Sequence, residues 1–264
     1  MDLPFTRNLT SGRSIFLRQV RVLTVANLKS RYRKTWIGFI WVILNPLVLY
    51  GVQSLVFMNF LKIKTANYPL FLLTGLLPWV FIVQSLEMCT PLIVVHGRLF
   101  KSFPVHPLVH LFAQLLDNGI NFISAFMVVL IPLCFFRPSL ARTLLLLPLP
   151  LVVLFMGVLG MVWLLATLQV FFRDTRFMVS FILNVTFFLT PIFYPKEMIP
   201  SELRWLTEIN LIHFFIEPIR AAVYLGDWRM TLQSLLPATS IAVALLAGAS
   251  LFWEKKKNAV YFNL

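Results

Sequence analysis

The stretch that decides the fold is RYRKTWIGFIWVILNPL, residues 31–47, in which a cluster of cations is followed directly by an apolar run. A water-soluble helix needs one polar face, and this run offers none. A membrane-spanning helix needs apolar surface on every side, with flanking cations at the cytoplasmic headgroups. The stretch therefore predicts a membrane span with Arg31, Arg33 and Lys34 at the inner surface.

Composition places the whole chain in the same class. Of its 264 residues 59% are hydrophobic and 12% are charged, and the mean hydropathy is +0.84, whereas soluble domains are about one quarter charged. The net charge of +13 is accounted for by basic residues on the inner side of a membrane, without nucleic acid as a partner. No short apolar stretch with a cleavage site opens the chain, so we expect no cleaved signal peptide.

Six segments are long and apolar enough to cross the hydrocarbon, which takes about 20 residues each. We therefore predict an all-α integral membrane protein with six transmembrane helices. An amphipathic segment, residues 14–30, precedes them and predicts an interfacial helix on the cytoplasmic leaflet. The patch INLIHFFIEPIRAAVYLG between spans five and six contains charged residues and predicts an external re-entrant helical hairpin. The spans are residues 37–61, 70–95, 108–135, 143–171, 177–193 and 232–253.

Six crossings put both termini on one side, and that side carries most of the 23 Lys and Arg residues. Both termini are therefore expected in the cytoplasm. The chain is interpreted as one permease domain, residues 1–264, comprising a cytoplasmic and interfacial N-terminal part (1–36), a six-span core (37–253) and a cytoplasmic tail (254–264).

The sequence contains no motif of an enzyme or an ATPase. The phosphate loop G-x-x-x-x-G-K-[ST] and the H-E-x-x-H, C-x-x-C and G-x-S-x-G motifs do not occur. Cys89 and Cys134 lie in apolar runs, so neither a disulfide framework nor a metal site is expected. The intramembrane acids Glu87 and Asp117 could carry protons, as in a secondary transporter, or could simply bond to neighbouring amides. The many aromatic rings could pack and face lipid or line a passage for carbohydrate.

Four stretches in chain order carry a resemblance to one family. They are RYRKTWIGFIWVILNP, GRLFKSFPVHPL, FFRDTRFMVSFILNVTFFLTPIFYP and INLIHFFIEPIRAAVYLG, and together they resemble the membrane subunits of ABC-type polysaccharide exporters, which move lipid-linked O antigen, capsule or teichoic acid. In the last stretch the family commonly has Asn-Pro, whereas here Asn210 is followed by Leu211. The motif positions are Gly38, Trp41, Pro46, Lys101, Phe103, Pro104, Arg173, Asp174, Pro191, Tyr194, Pro195 and Arg220.

The resemblance implies a non-catalytic transport subunit of the bacterial inner membrane. Two copies would enclose a channel for lipid-linked polysaccharide. Each would bind one separate ATP-binding subunit, which holds the ATP and magnesium, so this chain itself needs no cofactor. The loop after span two would be a coupling helix that contacts the ATPase through Arg98, Phe100, Lys101, Phe103 and Pro104.

The cations at the start of the first span have a further implied role. Arg31, Arg33 and Lys34 would meet the phosphate of the lipid carrier, since such cations bind phosphate through charge-assisted hydrogen bonds. Two other classes stay open: a proton-coupled secondary transporter that uses Glu87 and Asp117, and a structural scaffold without transport.

Overall fold

A computed structural model describes residues 9–32, 36–60, 65–103, 105–135 and 145–264. Within these ranges the chain forms helices and turns and no β-strand. The α-helices are α1 (Leu9–Tyr32), α2 (Trp36–Leu55), α3 (Tyr68–Cys89), α4 (Leu92–Val95), α5 (Gly97–Ser102), α6 (Pro107–Phe135), α7 (Pro148–Phe171), α8 (Thr175–Leu189), α9 (Trp205–Glu208), α10 (Leu211–Arg220) and α11 (Trp228–Asn263). A π-helical turn follows α2 (Val56–Phe60) and another follows α10 (Ala221–Leu225), and two 3₁₀ turns lie between α8 and α9 (Lys196–Met198 and Ser201–Leu203).

Four helical segments of the described part are long and apolar enough to cross a membrane: Tyr68–Val95, Pro107–Pro132, Pro148–Phe171 and Trp228–Asn263. They correspond to predicted spans two, three, four and six. The helix α8 has 15 residues and a length of about 22 Å, which is less than the roughly 30 Å of hydrocarbon. The helix α2 has 20 residues before its π-helical turn. Crossings by α2 and α8, and hence the number six, stay predictions.

Two helices end at residues other than the ends of their predicted spans. The fifth span was expected to reach residue 193, but α8 ends at Leu189 and Thr190 is extended, because the residue before a proline avoids the helical region. The last span is predicted to end at residue 253, and α11 continues beyond it to Asn263; the residue at which this helix leaves the membrane stays a prediction. Most of the predicted tail, residues 254–264, is therefore the end of the last helix.

The helix α3 occupies the centre of the bundle, with α2, α6, α7 and α10 packed around it. Leu72, Leu73 and Ile82 of α3 have no exposed surface. The most extensive contact between two helices is the one between α7 and α11. There a Cβ on Gly160 would lie 2.8 Å from the Cβ of Leu245. A glycine here lets the two backbones approach closely, as at other helix crossings in membranes.

The amphipathic helix predicted over residues 14–30 is present as α1, and it packs along the first half of α6. Its buried side carries Val20 and Thr24, and the rings of Phe16 and Phe112 lie 6.3 Å apart. Leu17 and Val22 on other sides are exposed. The helix therefore has one protein-facing side, and its placement on the cytoplasmic leaflet stays a prediction.

Candidate functional site

Residues 190–226, called the hairpin segment below, contain the patch predicted to form a re-entrant hairpin, and its re-entry into the membrane stays a prediction. A polar contact joins the start of this segment to α10. The Asn210 side chain caps α10 by accepting hydrogen bonds from the backbone N–H groups of Ile212 (3.0 Å) and His213 (3.3 Å). Its amide nitrogen also donates to Thr190 Oγ1 at 2.7 Å. Leu211 stands at the first helical position, where a proline would suit because that N–H has no helical partner. The departure from Asn-Pro therefore leaves the cap itself intact.

Arg220, at the end of α10, is the buried cation of the hairpin segment. Its Nη1 donates to the carbonyl oxygen of Pro191 at 2.8 Å, and its guanidinium lies 4.1 Å from the ring centre of Phe71. A Cβ on Gly75 would come within 2.7 Å of Nη2, so glycine leaves room for the guanidinium beside α3. Burial lowers the pKa of Arg220 to about 10, and the group stays a cation at neutral pH.

Glu217 lies between cations on the same hairpin segment. Lys196 Nζ lies 3.1 Å from its Oε1, and His213 Nε2 lies 3.4 Å from its Oε2. Burial, followed by the nearby Lys196 cation, lowers the pKa of His213 to about 4. His213 is therefore neutral at pH 7, and its contact with Glu217 is a polar contact rather than an ion pair. Glu217 is therefore the ion-pair partner of Lys196, and its negative charge also acts to raise the pKa of Arg220 against the effect of burial.

A further hydrogen bond fixes the residues that follow α8. The hydroxyl of Tyr68, at the start of α3, donates to the Phe193 carbonyl oxygen at 3.0 Å. The hydroxyl of Tyr194 donates to the Phe188 carbonyl oxygen at 2.7 Å. The predicted motif residues Pro191 and Tyr194 thus lie in a turn held by side chains from α3, from α10 and from the turn itself.

The predicted coupling loop contains the short helix α5, and its side chains divide into two sets. Arg98, Lys101 and Phe103 are exposed, and 58% of the Phe103 surface is open. Phe100 is buried and lies edge-on to the ring of His110, with the ring centres 5.2 Å apart. In this structure only Phe103 of the two aromatic rings is available to a partner. Pro104 lies outside the described residues.

The inner side of α5 rests on the end of α11, which the sequence did not indicate. A Cβ on Gly97 would lie 3.3–3.5 Å from atoms of Leu264, so α5 is in contact with the residue that follows α11. The ring of Trp253 on α11 lies 5.2 Å from His106, and Trp253 is buried. Burial lowers the pKa of His106, which favours a neutral ring packed in this contact.

The turn between α7 and α8 contains the predicted Arg173-Asp174 pair, and Gln169 organises it. The Gln169 amide nitrogen donates to the carbonyl oxygen of Arg173 at 2.8 Å, and its amide oxygen accepts from the N–H of Arg176 at 2.8 Å. Arg173 and Asp174 are exposed, and Asp174 makes no side-chain cap at the start of α8. Gln169 was missed because a single amide in an apolar run has no distinctive spacing.

The two intramembrane acids make their contacts on different helices. Asp117 on α6 is buried and accepts from the Gln114 amide at 3.3 Å, beside the Asn118–Ser85 hydrogen bond of 3.4 Å that joins α6 to α3. Glu87 on α3 is exposed and accepts from the hydroxyl of Ser180 on α8 at 3.1 Å. None of these hydrogen bonds joins Glu87 to Asp117.

The remaining predicted residues lie at the edges of the described ranges. Arg33 and Lys34 lie outside them, and of Arg31, Gly38 and Trp41 the structure describes the helical backbone alone. Pro46 lies inside α2, and Pro195 precedes a 3₁₀ turn. Among the described residues no group of three or more His, Cys, Asp or Glu side chains could hold a metal ion.

Comparison with known proteins gives one family and several relatives. A sequence model of the ABC-2 type transporter family matches residues 18–224. The O-antigen export system permease protein RfbA of Klebsiella pneumoniae is 27% identical over 239 residues, which cover 89% of this chain and 91% of that protein. The protein of the same name from Myxococcus xanthus is 27% identical over 241 residues, with the same coverage. The polysialic acid transport protein KpsM of Escherichia coli is 24% identical over 225 residues, or 82% and 85% of the two chains.

Proposed function

Because the chain belongs to the ABC-2 type transporter family, we propose that it is the permease subunit of an ATP-driven exporter of lipid-linked polysaccharide. The observation that carries the proposal is the alignment with permeases named for O-antigen export over almost the full length of both chains. A protein named for polysialic acid transport also aligns. The proposal therefore extends to polysaccharide as a class, O antigen or capsule, and not to one polymer.

In the proposed arrangement the chain crosses the bacterial inner membrane six times, with both termini in the cytoplasm. Two copies enclose the channel, and the hairpin segment folds back at its outer end. Each copy binds one ATP-binding subunit, and that subunit carries ATP, magnesium and the hydrolytic chemistry. The permease chain itself is not an enzyme. The cations Arg31, Arg33 and Lys34 meet the carrier's phosphate at the cytoplasmic side.

The side of α5 that is exposed in this structure, called its free side below, is proposed to bind the ATP-binding subunit. Arg98, Lys101 and Phe103 present two cations and one ring there, a combination suited to a partner groove with acidic and apolar residues. The opposite side of α5 rests on the end of α11. Since α11 is one helix of 36 residues, about 54 Å long, it links α5 directly to the hairpin segment. A shift of α5 during ATP binding would reach the hairpin through α11.

The hairpin segment is proposed to act as the outer gate. Arg220 and Asn210 connect α10 to the turn after α8 through the 2.8 Å and 2.7 Å hydrogen bonds. Because a buried cation with a fixed partner is costly to expose or leave unpaired, these contacts would hold the gate in one defined position until α11 moves.

A proton-coupled carrier is the alternative. It requires Glu87 and Asp117 to exchange a proton with each other or with a shared polar path. Glu87 accepts a hydrogen bond from Ser180 of α8, and Asp117 accepts one from Gln114 of α6, and these bonds support structural roles for both acids. Together with the alignment to permeases named for O-antigen export, these bonds favour the ATP-driven proposal.

A genetic experiment tests the proposal. The genes of the chain and of its ATP-binding subunit are both deleted in the native bacterium, and the chain is then restored alone, with the intact ATP-binding subunit, or with that subunit carrying a substituted phosphate-loop lysine. We expect surface polysaccharide to return only when the intact ATP-binding subunit is present. Normal surface polysaccharide in the deletion strain, or full export with the substituted lysine, would refute the proposal.

A further inference from the structure

A cavity of about 500 Å³ opens between α2, α3 and α6, away from the hairpin segment and from α5. Three amide side chains, one from each helix, line it: Asn45, Gln84 and Asn121. The rest of the lining is apolar and includes Phe81 and Phe122, whose rings stack with their centres 5.1 Å apart. The volume lies within the range of sites that hold a small organic ligand, about 300–1,000 Å³.

The three amides lie at a similar depth in the bundle. Counted along the axis from Trp36 at the start of α2, from Val95 at the end of the segment Tyr68–Val95 and from Pro107 at the start of α6, they are about 14, 16 and 21 Å away. For a hydrocarbon layer of about 30 Å these positions are near the middle. A polar group in that region is costly unless it finds a hydrogen-bond partner.

Two of these amides have no such partner in the described part of the chain. No hydrogen bond between described residues involves Asn45 or Gln84, whereas the neighbouring amides Gln114 and Asn118 bond to Asp117 and Ser85. An amide offers two donors and one acceptor. The cavity therefore presents donors and acceptors from separate helices toward its own interior, and an alkyl chain could satisfy none of them.

We propose that this cavity is a mid-membrane binding site for one sugar unit of the exported polysaccharide, with Asn45 and Gln84 hydrogen-bonded to the sugar's hydroxyl groups. The inference rests on the proposed function. Hydroxyl groups both donate and accept, so one sugar ring can satisfy amides on two helices at once. The stacked pair Phe81 and Phe122 supplies an apolar wall for the C–H face of the ring.

Site-specific photocrosslinking tests the site in the assembled exporter, with its ATP-binding subunit, in cells that make the polymer. A benzophenone amino acid replaces Val80, which lines the cavity, or Val243 on α11, which is exposed and outside it. We expect the Val80 adduct to carry glycan and the Val243 adduct to carry lipid alone. A lipid adduct alone at Val80, or no adduct, would overturn the proposal.

Substitution of the amide side chains is the second part of the test. Gln84→Leu and Asn45→Leu should each lower the glycan adduct at Val80 roughly tenfold, since each leaves a hydroxyl without its partner. Gln53→Leu is the matched control, because Gln53 is an amide of α2 outside the cavity, and it should leave the adduct unchanged. If Gln84→Leu fails to insert, Gln84→Asn keeps the amide and should retain part of the adduct. Equal adducts in all variants would overturn the proposal.

The outcomes separate the two proposals. If the wild-type chain restores no surface polysaccharide to a deletion strain, the proposed function fails. If it restores normal export and the Val80 adduct lacks glycan, the proposed function stands and the sugar site is wrong.

Discussion

Asn210 offers the sharpest quantitative test of the hairpin segment, because one side chain makes three hydrogen bonds. Asn210→Ala removes the cap of α10, which contributes about 1 kcal/mol. It also removes the 2.7 Å bond to Thr190, which contributes about 1 kcal/mol. We expect the free energy of unfolding to fall by about 2 kcal/mol. Asn210→Asp keeps the acceptor for the cap and loses the donor, so about half of that loss is expected.

The assay follows the thiol of Cys89, which is fully buried in α3. In a Cys134→Ser background, a fluorogenic maleimide reports exposure of Cys89 while the purified protein is titrated with a denaturing detergent. Asn258→Ala, at an exposed position of α11, is the control and should change stability by less than about 0.5 kcal/mol.

A double-mutant cycle with Thr190→Val isolates the bond between the two side chains. If Asn210 and Thr190 interact as described, the double variant should lose about 1 kcal/mol less than the sum of the single variants. Strict additivity, or an Asn210→Ala variant as stable as the wild type, would refute the reasoning about the hairpin segment.

Four further outcomes are expected. Phe103→Asp should abolish co-purification of the ATP-binding subunit while the permease stays folded, since it places a charge on the free side of α5; an unchanged complex on a pull-down would contradict this. As the pH falls from 6.5 to 4, His213 should take up a proton in the unfolded chain before it does so in the folded chain. The contribution of neutral His213 to the free energy of unfolding is therefore complete above pH 6.5 and falls by about 3 kcal/mol toward pH 4. Detergent titrations at several pH values should show a smaller fall of the free energy of unfolding in His213→Gln. Arg31→Lys should lower export while membrane insertion and binding of the ATP-binding subunit stay normal, because lysine lacks the planar guanidinium that binds phosphate through two hydrogen bonds. Unchanged export in both Arg31→Lys and Arg31→Gln would show that Arg31 only anchors the helix at the lipid headgroups. Asp117→Asn should retain substantial export, measured as surface polysaccharide; complete loss at normal protein level, together with dependence on the proton gradient, would favour the carrier.

Hydropathy and charge were sufficient to predict the helical membrane class, because a span must be apolar on all sides over a fixed length. The same rule does not locate the ends of the helices. Hydropathy does not show that Thr190 leaves the helix because Pro191 follows it. It also does not show that residues 254–263 stay helical after the apolar surface ends.

The contacts of the candidate site were less accessible to sequence reasoning. Phe100 and Phe103 have the same residue type and lie three positions apart, yet Phe100 is buried against His110 and Phe103 is exposed. Phe100 faces α6, and the same short helix also contacts the last residue of the chain, more than 150 residues away. Gly97 and Leu264 meet there, and no local pattern in either stretch indicates that contact.

The most direct test of the central claim is transport by the purified complex. The chain and its ATP-binding subunit are reconstituted together in vesicles that carry lipid-linked polysaccharide on the outer surface, with the ATP-binding subunit also outside. With ATP and a proton ionophore present, we predict that the polymer becomes protected from an added glycoside hydrolase, and that a non-hydrolysable ATP analogue gives no protection. Protection driven by an imposed proton gradient without ATP would contradict the account.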